Sequence, residues 1–245
     1  MNIVVAMKPI PDLRQIRLRN RQPVLEGVAL TFGNIDKNAL EAGVLLKEAL
    51  GANLIVVSVG SEELEDTIKE ALAAGADEAY LVVDDKLEEM DSYKSARLIA
   101  DTIQKIDDVG IILFGEGSGD NYSGQVSSRV AEILDLPQAG YVQSINIHGT
   151  TAIVTRALED SEEMLEADLP LVVSVLADIN QPRIPSVSQI LKAGRKPQEI
   201  VELDIPGDSL IDTISNLAPE MKRKQIEVES IEKLLKILED EGLRR

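Results

Sequence analysis

The chain has 245 residues, 44% of them hydrophobic and 28% charged, with a formal net charge of -18, which suits one large domain with an appendage or two small ones around a real core. It has no cysteine and a single histidine, His148, which excludes disulfides, thiolate or histidine-cluster metal sites and cysteine nucleophiles, and argues against a Ser-His-Asp triad. The acidic balance disfavours unspecific binding to nucleic acid or anionic membrane. No apolar run reaches the length of a membrane span, and with no basic leader before the first strand the expected compartment is the cytoplasm.

Aromatics make up only 2% of the chain, so the core must be built from Val, Ile, Leu and Ala. Asn2–Met7 is a nearly continuous apolar run, the pattern of a buried parallel strand. Lys8-Pro9-Ile10-Pro11-Asp12 stops it, because proline brings no ladder donor. Ile16–Leu18 and Val24–Leu30 read as extended around polar Asn20-Arg21-Gln22, a loose hairpin. Gly33-Asn34-Ile35-Asp36-Lys37-Asn38 opens a helix through Leu50, with Asn34 or Asp36 as cap. Ala39, Leu40, Gly43, Leu46 and Leu50 form its apolar face, and Gly51 ends it. Leu54–Val59 is the next buried strand. Gly60-Ser61 leads into a helix over Glu62–Ala74, capped by Ser61, with Glu62 and Glu63 at the positive end of its dipole. Ala79–Val83 is a third strand, Ser92–Ile106 a helix and Ile111–Phe114 a fourth strand. This alternation predicts an open α/β fold with a mostly parallel sheet. Such sheets bind ligands beyond the carboxyl ends of their strands, which nominates Lys8–Asp12, Gly33–Asp36, Val59–Ser61 and Gly115–Gln125.

The last of these is the most distinctive. Gly115-Glu116-Gly117-Ser118-Gly119-Asp120-Asn121-Tyr122-Ser123-Gly124-Gln125 follows a strand and precedes the amphipathic run Val126–Leu134. A glycine-rich turn between strand and helix lets backbone N–H groups converge where anions are stabilised. Without lysine it is not a Walker loop. Two readings stand: a nucleotide held by backbone donors and small side chains, or an ordinary tight turn. Ser118 and Ser123 suit hydrogen bonding to phosphate, since no neighbouring base activates them. Asp120 suits a ribose, a base or Mg²⁺, or equally an Asx turn. Lys8 and Arg183 are candidates to offset phosphate charge.

After Leu136-Pro137 the pattern changes. Tyr141–Ile145 and Thr151–Leu158 flank a polar turn that contains His148. Met164–Ala167 is a shorter extended piece, and Pro170 opens the buried strand Leu171–Leu176. This predicts an antiparallel extension on one sheet edge. The acids Glu159, Asp160, Glu162 and Glu163 read as a solvated turn rather than a tuned acid–base pair. Ala177–Ser186 is a loop, Val187–Ala193 a short helix and Ile200–Ile205 a last extended segment. The basic run Met221-Lys222-Arg223-Lys224 reads as a solvated linker. Ser230–Gly242 is a capped helix whose stripe of Ile231, Leu234, Leu235 and Leu238 needs a surface, its own domain or a partner.

Several motifs in order resemble the beta (small) subunit of electron-transfer flavoproteins, including the nitrogen-fixation-associated relatives, over almost the whole chain. They are Val5-Ala6-Met7-Lys8, Asp36-Lys37-Asn38-Ala39-Leu40-Glu41, Ala71-Leu72-Ala73-Ala74-Gly75-Ala76-Asp77, Leu136-Pro137-Gln138, Val154–Leu165 with Pro170–Ser174, and Asn180-Gln181-Pro182-Arg183. The resemblance implies a Rossmann-like α/β fold of the adenine-nucleotide α-hydrolase type, with an antiparallel edge extension and a C-terminal helical tail. It implies a nucleotide-binding domain over 1–200 and a tail over 201–245 that packs on the partner subunit. It further implies a heterodimer that shares FAD with an alpha subunit, with AMP or a second FAD in this chain. Electrons would come from flavin dehydrogenases or NADH and leave to a quinone reductase or another acceptor. Carried to matching positions, the cofactor pocket comprises Ala6, Gly33, Asn34, Ile35, Asp36, Val59, Gly115, Gly117, Ser118, Gly119, Asp120, Asn121, Ser123, Gly124 and Gln125, with no catalytic or metal-binding residue. The loop around Val187 aligns with the family's dehydrogenase-recognition loop, though Val187 also reads simply as a core residue opening the short helix. The glycine-rich loop departs from the family pattern: Glu116 stands for a basic residue, Gly117 for Gln and Gly119 for an aliphatic, while Asp120 keeps the acid. The spelling at Asp36–Asn38 and Arg156–Asp160 leans toward the electron-bifurcating and nitrogen-fixation branch. The competing readings are a stand-alone universal-stress-like adenine nucleotide-binding protein and an ATP hydrolase or ligase, whose usual Ser-Gly-Gly-x-Asp motif is absent.

Overall fold

The computed structural model describes every residue except 88–89, 206, 208, 210, 212, 221–224 and 244–245. The chain divides into a large unit, Met1–Arg17 with Leu25–Ile214, and a small one, Leu18–Val24 with Ser215–Arg245.

In chain order the strands are β1 (Asn2–Met7), β2 (Pro9–Pro11), β3 (Arg17–Arg19), β4 (Gln22–Val24), β5 (Leu30–Phe32), β6 (Asn53–Gly60), β7 (Glu78–Val83), β8 (Val109–Gly115), β9 (Gln138–His148), β10 (Thr151–Ala157), β11 (Glu162–Asp168), β12 (Leu171–Val175) and β13 (Gln198–Ile200). The helices are α1 (Asn34–Leu50), α2 (Leu64–Ala74), α3 (Ser92–Ile103), α4 (Val126–Leu134), α5 (Val187–Ala193) and α6 (Ile231–Asp240).

Nine strands, among the described residues, form one sheet in the order β11-β10-β9-β12-β8-β1-β6-β7-β13. From β9 through β13 neighbouring strands are parallel, while β9, β10 and β11 pair antiparallel. The predicted parallel sheet with an antiparallel edge is therefore present. The central strands read as continuous apolar runs because both their faces are covered. On one face Ile3, Val5, Leu54, Val56, Ile111 and Leu113 pack with Leu40 and Val44 of α1 and Ile68 and Leu72 of α2. On the other, Val4, Ala6, Ile55, Val57 and Ile112 pack with Leu98 and Ile99 of α3 and Val130 of α4. This is a doubly wound sheet, and the chain reverses its winding between β1 and β8.

Several local expectations are corrected. Pro9–Pro11 is not merely a stop, because it pairs with Leu30–Phe32 in a two-stranded ribbon. Proline is tolerated there on an edge that owes no further ladder bond. Asn34 and Asp36 do not cap α1: the cap position is Gly33, with no side-chain hydrogen bond, and Gly51 ends the helix in the left-handed region at φ 64°. Ser61 does not cap α2 either, since a turn in which Leu64 N–H reaches Ser61 O delays the helix to Leu64. Strand β9 runs on to His148, and β11 begins at Glu162. Glu162 and Glu163 are thus strand residues: Arg156 faces Glu163 across the ladder and pairs with it at 2.6 Å. Helix α5 carries the full capping box, Ser186 with Gln189, and Val187 is 73% exposed, not a core residue.

In the small unit a hairpin forms, but its strands are β3 and β4: the second is Gln22–Val24 rather than Val24–Leu30, and 25–29 is not strand. Asn20 and Arg21 at its turn both have positive φ, 51° and 66°, the conformation of a tight two-residue turn. Arg21 then binds the later segment of the same unit, donating from Nε to Ala218 O at 2.7 Å and pairing with Glu220 at 3.0 Å. Helix α6 is capped by Ser230, and none of its residues is buried. The run Met221–Lys224 lies outside the described residues.

Candidate functional site

The carboxyl ends of β1 and β8 meet at the winding reversal, and the glycine-rich loop begins there. In the register of the sheet Ala6 lies beside Phe114 and Val57, so Gly115 and Lys8 emerge as neighbours. One carboxylate ties these exits together. Asp36, 8% exposed, accepts the backbone N–H of Lys8 at 2.8 Å and that of Gly115. Burial pushes its carboxyl up to about 7, against the pull of the Lys8 N–H and charge. A β-carbon on Gly115 would stand 2.7 Å from Asp36 Oδ1 and 3.1 Å from the Ile35 carbonyl carbon, so only glycine lets β8 end so close to α1.

A second tie crosses above the first. Lys8 Nζ lies 2.5 Å from Asp120 Oδ2. Burial alone would raise the Asp120 carboxyl, but the Lys8 charge and hydrogen bonds from Lys8, Ser118 and the Asn121 N–H outweigh it and hold the group below the usual carboxylate range. Asp120 is therefore both a charge partner and a brace within the loop, although its bond to the next residue's N–H is not the two-residue reach of an Asx turn. On the far side of the loop, a β-carbon on Gly33 would come within 3.8 Å of the Gly119 nitrogen, which brings the start of α1 beside the loop.

The structure thus gathers Gly33, Asp36, Gly115, Ser118, Gly119, Asp120 and Asn121 at one edge, with Lys8 among them and Ile35 alongside Gly115. Ala6 and Val59 belong to that edge only through their backbones, for their side chains are 4% and 6% exposed in the core facing α3 and α4. Asn34, Ser123, Gly124 and Gln125 face solvent. The Gln125 side chain is engaged by Arg129 at 2.8 Å and by Ser92 Oγ at 3.3 Å, while α4 begins after it with no side-chain cap. That leaves the helix's first N–H groups without a side-chain acceptor. Gly124 adopts φ 63°, and a β-carbon there would meet the Glu116 carbonyl oxygen at 3.6 Å.

Two residues behave differently from their sequence reading. Arg183 does not reach this edge as a phosphate counter-charge. Its guanidinium pairs with Glu41 at 2.8 Å and with Glu48 at 2.7 Å. Glu116 does not point a free acid at the loop's mouth, since it accepts the Tyr122 hydroxyl at 2.6 Å. Tyr122 itself carries no motif signal, and only its place inside a run of glycines marks it. Two clefts lie elsewhere. One of about 380 Å³ runs between α1 and β9 past Leu45, Leu46, Ile145 and His148. The other, of about 50 Å³, sits between α1 and α2 beneath Pro182 and Arg183. Neither is lined by the glycine-rich loop.

Comparison with known proteins places the chain in a family. The electron transfer flavoprotein domain family matches residues 24–206. The chain is 36% identical over 200 residues to the electron transfer flavoprotein subunit beta of Thermoanaerobacterium thermosaccharolyticum, covering 81% of this chain and 76% of that protein. It is 34% identical over 200 residues to the caffeyl-CoA reductase-Etf complex subunit CarD of Acetobacterium woodii, covering 80% and 76%. To the electron transfer flavoprotein subunit beta of Bacillus subtilis it is 35% identical over 206 residues, covering 83% and 80%.

Proposed function

This chain belongs to the electron transfer flavoprotein family, with the beta subunits, and from that premise we propose that its glycine-rich edge holds an adenine nucleotide, either AMP or a second FAD, within a heterodimer that shares FAD with an alpha subunit. The observation that carries the reading is the loop Gly115–Gln125, which leaves β8 at the winding reversal and runs into the N-terminus of α4 without a side-chain cap. Backbone N–H groups at such a place stabilise phosphate.

The residues present fit the group. Ser123 adds a hydroxyl donor, while the Ser118 hydroxyl is given to Asp120. Lys8 is the cation at the strand exits, held by Asp120. Asp36 is buried and biased toward its neutral form, and the Glu116 side chain is turned to the Tyr122 hydroxyl. When bound, a flavin supplies the redox chemistry of the complex. The chain's own residues would bind and orient it.

Two apolar surfaces serve the partners in this reading. Ile231 and Leu234 of α6 are 72% and 42% exposed, and with Leu235 and Leu238 they would dock on the alpha subunit. Ile184, Val187 and Leu191 are 93%, 73% and 74% exposed around α5, and would meet the flavin dehydrogenase that donates electrons. Donors of this kind or NADH would feed the complex, and a quinone reductase or other acceptor would drain it.

The test is to coexpress the chain with its larger partner subunit and count FAD and AMP released per purified heterodimer. One FAD and one AMP assigns the edge to AMP, and two FAD without AMP assigns it to a second flavin. A heterodimer that carries no nucleotide beyond one FAD overturns the proposal. Gly124→Val, which puts a branched side chain at a left-handed position in the loop, should reduce the second nucleotide's occupancy at least severalfold. Unchanged occupancy in that variant would remove the loop from the binding site.

A further inference from the structure

The chain has four tyrosines, and two of them share an unusual combination of properties. Tyr122 and Tyr141 are each 55% exposed, with φ of 45° and 59°. Bulky residues seldom adopt that conformation, and strain of this kind collects at functional sites. Among the described residues, the other non-glycine positions with positive φ are Asn20, Arg21, Asp108, Asp135 and Gln225, all polar. Both rings leave more than half of their surface open to a ligand.

The Tyr122 ring is held by its surroundings. The Tyr122 hydroxyl donates to Glu116 Oε1 at 2.6 Å, and its N–H reaches Ser118 O at 3.1 Å. A β-carbon on Gly117 would lie 2.9 Å from ring atoms Cδ2 and Cε2 of Tyr122, so the ring packs on bare backbone while the rest of it stays open. Tyr141 comes from a different element. Strand β9 slips register against β12, where Val173 faces Ala139 but Val175 faces Val142, so Gly140 and Tyr141 oppose Ser174 alone. Such a bulge re-aims a side chain. Val175 in turn faces Gly115, and Glu116 N–H bonds Val175 O at 3.0 Å. Tyr141 therefore stands at the edge from which the glycine-rich loop departs. The Tyr122 phenol, pushed up to about 12 chiefly by Glu116 and its burial, is also influenced by Tyr141.

We propose that Tyr122 and Tyr141 form a stacking platform for the isoalloxazine ring of a flavin bound in this chain. The inference rests on the nucleotide reading above and chooses FAD over AMP within it. A phenol that donates to a carboxylate is electron-rich, and an oxidised isoalloxazine is electron-poor, so offset stacking between them is favourable. AMP offers no comparable electron-poor ring. The segment that would receive the phosphates also carries Tyr122, so one edge of the sheet addresses both ends of a dinucleotide.

The experiment compares heterodimers of the wild type, Tyr122→Leu, Tyr141→Leu and Tyr122→Phe, each titrated with FAD and separately with AMP. The wild type should bind one FAD beyond the shared one, with quenched emission and a long-wavelength absorbance shoulder. Either leucine variant should weaken that FAD about two- to tenfold and raise the emission of what remains bound, and Tyr141→Leu, which leaves the loop and its Tyr122–Glu116 bond in place, should leave AMP affinity unchanged. Tyr122→Phe should keep more of the affinity than Tyr122→Leu, yet lose part of the quenching and move the shoulder to shorter wavelength. Leucine variants with unchanged FAD affinity and spectra overturn the platform, as do variants that weaken only subunit association. A chain that takes AMP and excludes FAD overturns the platform while the nucleotide reading stands. Absence of any nucleotide beyond the shared FAD in every protein overturns both.

Discussion

At Asp36 a nearly buried carboxylate takes the backbone N–H groups of Lys8 and Gly115, the exits of two adjacent strands. Its carboxyl titrates at about 7 in the folded chain and near 3.8 when unperturbed. Between these values the folded chain holds a proton that the unfolded chain has released. Stability from this group is therefore full at the acid end and is lost as pH rises through the window. Asp36→Asn should flatten that part of the pH dependence of the urea midpoint between about pH 4 and 7. An undiminished slope would show that Asp36 does not titrate there. Gly115→Ala acts on the same contact without changing charge. Its new methyl would press on Asp36 Oδ1 and the Ile35 backbone, at a cost of about 1–3 kcal/mol, read as a lower Tm. In sequence Asp36 looks like a helix-opening residue, because its partner Lys8 is 28 positions away and no local spacing reveals it. Asp120 was legible as a loop former, but its ion pair with Lys8 was not, for the same reason.

Elements were easier to read than the contacts between them. The strands buried on both faces announce themselves as apolar runs, and α1, α3 and α4 by their periodicity. What failed were the places where tertiary pairing overrides local pattern. Pro9–Pro11 finds Leu30–Phe32, and Glu162–Asp168 joins the ladder through Arg156 despite its acids. The loop before α5 is another such place. Arg183 pins it to α1 through Glu41, whose side chain is 9% exposed, and through Glu48. Removing one partner of a largely buried pair leaves the other charge uncompensated. Arg183→Met should therefore cost about 3 kcal/mol in chemical unfolding, and adding Glu41→Gln should recover part of it. If the single and double variants are equally destabilised, the stranded Glu41 charge is not the cause.

At the scale of the whole molecule the two units differ in what holds them. The large unit has apolar layers on both faces of its sheet. In the small unit, Leu18–Val24 with Ser215–Arg245, no described residue is buried. A segment of this size cannot supply a core of its own, yet α6 presents an apolar stripe beneath a sound Ser230 cap. A capped amphipathic helix with nothing buried on its stripe suits a surface supplied by another chain, which is the role proposed for the alpha subunit. Limited proteolysis separates this from a tail that is merely solvated. In the isolated chain a protease should cut within 215–245 well before it attacks the sheet, and the trimmed product should keep the Tm of the full chain. In the heterodimer the same sites should be protected, and Leu234→Asp should remove the protection while leaving the isolated chain's Tm unchanged. Equal cleavage with and without the partner would mean that α6 does not carry the subunit contact.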